Sequence, residues 1–199
     1  MRALLIFLSS IFLLSGCSLF SPVQYDAVNR YMLTTVPVNV PHKRPSTVSL
    51  AVAVPEALPM YNTTRMAYSE QAYQINYFAK NAWSTSPAQM LQPLLVQTLQ
   101  KTRHFKVVGQ MPVMGQYDYV LTSQILNLTQ YFAPMRPSMI CFTLRVQLIN
   151  VNNGHIVATK QFSMVQIAPE NTPYGGVIAA NIAVKNVLIE VAHFCLQHL

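Results

Sequence analysis

Carboxylates are scarce in this chain: 199 residues hold six Asp and Glu against thirteen Lys and Arg. The six, Asp26, Glu56, Glu70, Asp118, Glu170 and Glu190, do not pair at short spacing, so a general acid and base acting as a couple has no sequence support. The five histidines, His42, His104, His155, His193 and His198, match no metal-ligand pattern. Among the few glycines, Gly175-Gly176 follows no strand and lacks the spacing of a phosphate loop. A Gly-x-Ser-x-Gly elbow is absent too. The sequence thus offers no catalytic, cofactor-binding or metal site, and an enzyme is not expected.

Charge is sparse altogether, at 10% of residues, while apolar residues make up 52%. That balance excludes a disordered chain. It also suggests that some apolar surface is covered by a partner or by lipid. The formal net charge is +7, but the cations are scattered. Only Lys101-Thr102-Arg103-His104-Phe105-Lys106 clusters, where a helix should end, and there cations complement the carbonyl end of the helix dipole. No nucleic-acid-binding motif appears, so nucleic acid is not an expected partner.

Arg2, the uncharged stretch Leu4 to Leu14, and the small residues before Cys17 have the order of a secretory signal peptide. The stretch falls short of the ~20 residues that span a bilayer. Leu14-Ser15-Gly16-Cys17 resembles a lipobox, the site where bacterial lipoproteins are cut before a lipid-modified cysteine. That resemblance implies loss of residues 1–16 and a mature chain starting at Cys17, acylated on its sulfur and amino group. Each buried acyl methylene contributes about 0.8 kcal/mol, so several chains anchor firmly. Ser18 after the cysteine fits sorting to the outer membrane in such lipoproteins. About 180 residues remain, enough for one well-cored domain.

Prolines at 22, 37, 41 and 45 punctuate residues 17–46, which read as a tether with one short strand near Arg30 to Thr34. The domain proper is expected over 47–199. Alternation marks strands at Val48 to Val54, Thr64 to Tyr68 and Tyr73 to Phe78, with Ser69-Glu70-Gln71 as a hairpin loop. Ser86-Pro87-Ala88-Gln89 is a helix start that Ser86 can cap; Leu91, Leu94, Leu95, Thr98 and Leu99 follow at helical spacing, with a kink expected at Pro93. Strands are expected at Phe105 to Val108, Tyr117 to Tyr131 and Met139 to Val151. Asn152-Asn153-Gly154 turns the last of these into His155 to Ile167 as a long hairpin.

Thr172-Pro173 opens a helix to about Gln197 whose polar residues, Asn186, Glu190, His193 and Gln197, form one narrow stripe. A helix apolar over most of its circumference must be covered on more than one side. A neighbouring subunit, contacting Val184, Leu188 or Val191, is one solution, and a single thick core is the other. Cys195 lies on the apolar arc of this helix, whereas Cys141 faces away from Ile140, Phe142, Leu144, Val146 and Leu148. The pattern favours two free thiols over a disulfide. Together these elements predict an α+β domain, an antiparallel-rich sheet with two main helices packed on it.

Arg65-Met66-Ala67-Tyr68, Tyr73-Gln74-Ile75-Asn76-Tyr77, Asn81-Ala82-Trp83-Ser84-Thr85-Ser86-Pro87 and the Leu-rich helix ending in Phe105-Lys106-Val107-Val108 together resemble the ABC-type transport auxiliary lipoprotein family, the PqiC/YmbA-like group. Tyr31-Met32-Leu33, the Val48–Pro55 strand, the turn at Asn153-Gly154 and the apolar last helix match in the same order. Where that family usually has an Arg before the Trp and an acidic residue after it, this chain has Asn81-Ala82 and Ser84-Thr85. The resemblance implies an outer-membrane lipoprotein on the periplasmic face. It would work with a Mce-domain or Pqi-type envelope-spanning protein and an inner-membrane transporter to move lipids. An assembly lipoprotein of a secretion or surface-appendage system is the competing expectation. Read physically, Trp83 staples the first helix onto the sheet, and Arg65 bonds backbone or a carboxylate.

Overall fold

The computed structural model describes residues 27–112 and 115–199; Cys17 and the signal peptide lie outside them. The order is β1 (Asn29–Tyr31), β2 (Ser49–Val52), β3 (Glu56–Ala57), β4 (Arg65–Ser69), β5 (Asn76–Trp83), α1 (Pro87–Lys101), β6 (Val107–Gln110), β7 (Tyr119–Tyr131), β8 (Met139–Asn150), β9 (Ile156–Ile167) and α2 (Pro173–His198). This is the expected α+β domain, and its sheet is mixed.

The long strand β7 organises that sheet. Along one edge it pairs with β8 from Tyr119↔Asn150 to Tyr131↔Met139, antiparallel. Its other edge is shared by three short parallel strands. β2 pairs at Tyr119 to Leu121, β3 at Gln124 and Ile125, and β4 at Thr129 to Tyr131. The chain climbs this edge in pieces because Pro55 and Pro59 cannot donate to a ladder and interrupt it. β6 then flanks β2, while β5 and β1 flank β4. The β8–β9 hairpin holds from Met139↔Ile167 to Ile149↔Ile156, closed at Gly154 with φ +69°, a conformation glycine adopts without steric cost.

The inward residues of β8, Ile140, Phe142, Leu144, Val146 and Leu148, are buried, as are Leu91, Leu94, Leu95, Thr98 and Leu99 of α1. Both helices join this core. Pro93 sits within α1, which runs on unbroken to Lys101. Ser86 makes no side-chain cap there, contrary to expectation; Pro87 at the helix start has no N–H to satisfy. Thr172 does cap α2, its Oγ1 accepting from Gly175 N at 3.0 Å. β5 begins at Asn76, not Tyr73, and runs on to Trp83. Tyr73 instead sits in the β4–β5 loop at φ +65°.

Residues 27–46 correct the expected tether. β1 pairs with β5, and Leu33 and Val40 are buried. Asn181 of α2 grips this segment: its Oδ1 accepts from Thr34 N at 2.9 Å and its Nδ2 donates to Met32 O at 3.1 Å. Lys101 Nζ donates to Pro37 O at 2.8 Å, and Lys43 Nζ to Leu196 O at 2.7 Å. The segment is thus a belt across both helices. Beyond β1 its prolines interrupt any ladder, so the rest is held by helix side chains that meet its N–H and carbonyl groups.

That belt decides between the two ways of covering α2. With the sheet on one side, α1 beside it and the belt along it, Val184, Leu188 and Val191 are at most 1% exposed within the one chain. They are core residues and cannot be the expected subunit contacts. Such enclosure explains why only a narrow polar stripe remains, and it accounts for a helix long and apolar enough to cross a membrane but mostly buried here.

Candidate interaction surfaces

Among the described residues no group of three His, Cys, Asp or Glu could hold a metal ion. His104, in the cationic cluster, is buried, with Nδ1 on the Arg44 carbonyl. It and Lys101 fasten the belt. Asp118 accepts from Ser49 N and Ser49 Oγ, both at 2.7 Å, and these bonds hold its carboxyl below the usual carboxylate range. It ties β2 to the start of β7.

The residues singled out by sequence fall into place separately. Trp83 ends β5 inside the core, 3% exposed, with its backbone N–H donating to Thr64 O at 2.7 Å. Arg65 is exposed, and its guanidinium carbon lies 3.8 Å from the centre of the Tyr77 ring, so its partner is an aromatic face instead of the expected backbone or carboxylate. Cys141 and Cys195 are free, the first half-buried and the second fully buried. Burial alone pushes the Cys195 thiol far up, since a thiolate there would be desolvated. The pair Gly175-Gly176 has a packing role. A Cβ at 175 would collide with the Glu170 carbonyl, and one at 176 with Gln130 Oε1. Gln130 is buried, and its Nε2 donates to Ser138 Oγ at 2.9 Å and Thr172 O at 3.0 Å. It braces the start of α2 against β7.

Two surfaces remain that could meet other molecules. The first is β9. Among the described residues it pairs only with β8, so its other edge, twelve residues long, is open there, with Ile156, Val157, Val165 and Ile167 all exposed. Natural edges are usually short or blunted by charge and proline; here Lys160 is the one charged residue in the strand.

The second surface is the end of the sheet where β4 and β7 stop together, at Ser69↔Tyr131. The β4–β5 loop and the β7–β8 loop emerge side by side, joined by Phe132 N donating to Ser69 O at 2.8 Å. Tyr68, Phe78 and Phe132 form an aromatic knot beneath them, with centroids 4.4 to 6.3 Å apart. At the loop tips Tyr73 and Met135 are fully exposed, both in left-handed backbone, at φ +65° and +57°. A groove of about 570 Å³ runs between Met60, Tyr73, Ile75 and Tyr131. At its floor the Tyr61 hydroxyl bonds Thr129 Oγ1 at 2.9 Å; burial raises the Tyr61 phenol despite that bond. Sequence periodicity could not mark this surface, because Tyr73 mimics strand alternation and Met135 lies among the prolines at 134 and 137.

Solved structures share this architecture. A crystal structure of a protein from Xanthomonas campestris is 18% identical over 85% of this chain and 96% of its own, with a TM-score of 0.75. Another crystal structure, of a protein with no stated role, is 13% identical over 85% and 99%, with a TM-score of 0.68. At such identities the likeness shows the fold alone. No curated protein sequence shows significant similarity to the chain. The match that goes beyond fold is to a family model, that of the ABC-type transport auxiliary lipoprotein component, over residues 31–192. It takes in the belt from Tyr31 onward, α1, α2 as far as residue 192 and every strand from β2 to β9. On that match the chain belongs to the ABC-type transport auxiliary lipoprotein family.

Proposed function

We propose that this chain is an outer-membrane lipoprotein, held by acyl chains on Cys17 with its domain in the periplasm. There it serves as a non-enzymatic auxiliary component of a Mce/Pqi-type ABC system that moves lipids. The observation that carries the reading is the family match across 31–192, nearly the whole described domain. The docking role is supported by β9, whose open backbone and apolar side chains suit addition of a strand from an envelope-spanning partner. Last-helix contacts have no part in this reading, since Val184, Leu188 and Val191 are enclosed.

The test is co-purification and native mass spectrometry of the mature protein with a Mce-domain protein from the same envelope. A complex is expected, weakened by Val165→Lys, which places a charge on the exposed edge. No complex, with capture of secretion or pilus components instead, would overturn the reading in favour of an assembly lipoprotein. Masses of the protein alone report whether it self-associates.

A further inference from the structure

We infer that the paired loop tip carrying Tyr73 and Met135 rests on the phospholipid surface that holds the acyl chains of Cys17. The inference rests on the lipid anchor of the proposed function and adds to it the orientation of the domain. Three observations carry it.

The first is what the tip displays. Tyr73 and Met135 are the two most exposed large apolar residues among those described, on neighbouring loops. Ile167, 60% exposed, stands at the same sheet end through its pairing with Met139, the partner of Tyr131. The charges near them are Glu70 and Arg136 on the two loops and Glu170 beside Asn171, which bonds the Met135 loop, all exposed. A tyrosine with an apolar ring and a polar tip, and a cation with a long stem, suit the depth where headgroups meet acyl chains.

The second is that the display is built. Ser69 Oγ donates to the Gln71 carbonyl at 2.8 Å in one loop. In the other, Arg136 N donates to Ala133 O at 3.3 Å, and Asn171 Nδ2 donates to Arg136 O at 3.2 Å. Non-glycine residues rarely take left-handed backbone, yet both tips do, and each points a bulky apolar side chain away from the domain.

The third is the direction of the chain. β1 is parallel to β5, with Asn29 opposite Asn81, and β5 starts at the tip end with Asn76. Upstream of Asn29 the chain is therefore aimed toward the tip, about 17 Å away at roughly 3.3 Å per strand residue. Cys17 and residue 27 are ten Cα-to-Cα steps apart, a reach of at most about 35 Å when extended. The anchor lies within range of a membrane on which the tip sits. The opposite end, marked by Val151 in the β8–β9 turn, is farther from Asn29, roughly nine strand residues or about 30 Å back along β7, and the chain upstream of Asn29 points away from it.

The test uses the mature full chain in vesicles of phosphatidylethanolamine and phosphatidylglycerol, with and without brominated acyl chains. Trp83 is the chain's sole tryptophan and is buried in the core, far from the substituted positions. Tyr73→Trp and Met135→Trp add probes at the tip, and Val151→Trp adds one at the far end. Brominated lipid should remove most of the added emission of the two tip variants and leave Val151→Trp and the parent unchanged. Tip probes quenched no more than Val151→Trp would overturn the inference. The intact mass of the same preparation shows whether Cys17 is acylated. A missing acyl mass refutes the anchor, and with it the inference; an acylated protein with unquenched tips refutes the tip alone.

Discussion

Replacing Leu188 by alanine asks whether α2 is a core helix or a subunit contact. Leu188 is fully buried in the single chain, on a helix enclosed by the sheet, α1 and the belt. Truncation removes its transfer free energy and leaves a cavity, together about 3–4 kcal/mol where surroundings cannot collapse. With both faces of α2 covered, collapse has little room. Taking roughly 2 kcal/mol per molar for the urea slope of a domain this size, the midpoint should fall by about 1.5–2 M. Trp83, buried beside the helix-bearing core, supplies the fluorescence signal. Glu190→Ala, on the exposed stripe of the same helix, should shift the midpoint by no more than about 0.3 M. Two results would refute the reasoning. One is a Leu188→Ala shift no larger than that of Glu190→Ala. The other is a shift that changes when the protein is diluted about tenfold, since only an associating species responds to concentration.

Gly176→Ala should destabilise by about 1–3 kcal/mol in the same titration, because overpacking against Gln130 outweighs the roughly 0.5–1 kcal/mol that alanine gains in a helix. In a Gln130→Ala background the collision is gone, and the same change should be neutral or stabilising. Asp118 has a folded pKa below its unfolded value, so its contribution is present above the ordinary carboxylate range and lost as pH falls through the folded value. Asp118→Ala should therefore flatten the acid side of a stability–pH profile; an unchanged profile counts against the Ser49 bonds. Cys195 should resist thiol reagents in the native protein because it is buried and its thiolate is disfavoured, and both Cys141 and Cys195 should react once it is unfolded. No reactive thiol after unfolding without reductant, and two after reduction, would argue for a disulfide.

Local pattern was enough for much of this molecule. The alternation of Ile140 to Leu148, the Asn153-Gly154 turn and the 3.6-residue spacing of Leu91 to Leu99 are short-range signals. Each states which face is buried before any partner is known. The order of short motifs around Arg65, Trp83 and Phe105 pointed to the family, and the sequence before Cys17 pointed to the anchor. Six dispersed carboxylates argued against acid–base chemistry without any coordinates.

What covers a face is a different matter, because it depends on which distant segments the fold brings together. The sequence required α2 to be enclosed but could not choose between a second subunit and a single thick core, and it gave residues 27–46 no part in either. Asn181 meets Thr34 across 147 positions, and no local rule reaches that far. Prolines made the belt look like a tether, since they report the missing donors and not the side chains that hold the carbonyls. Tyr73 read as a strand residue because alternation carries no record of backbone handedness. Its placement beside Met135 exists only because β4 and β7 end level with each other. Sequence set the faces, the turns and the family of this protein; only the tertiary structure decided which surfaces are spent on the core and which are left open.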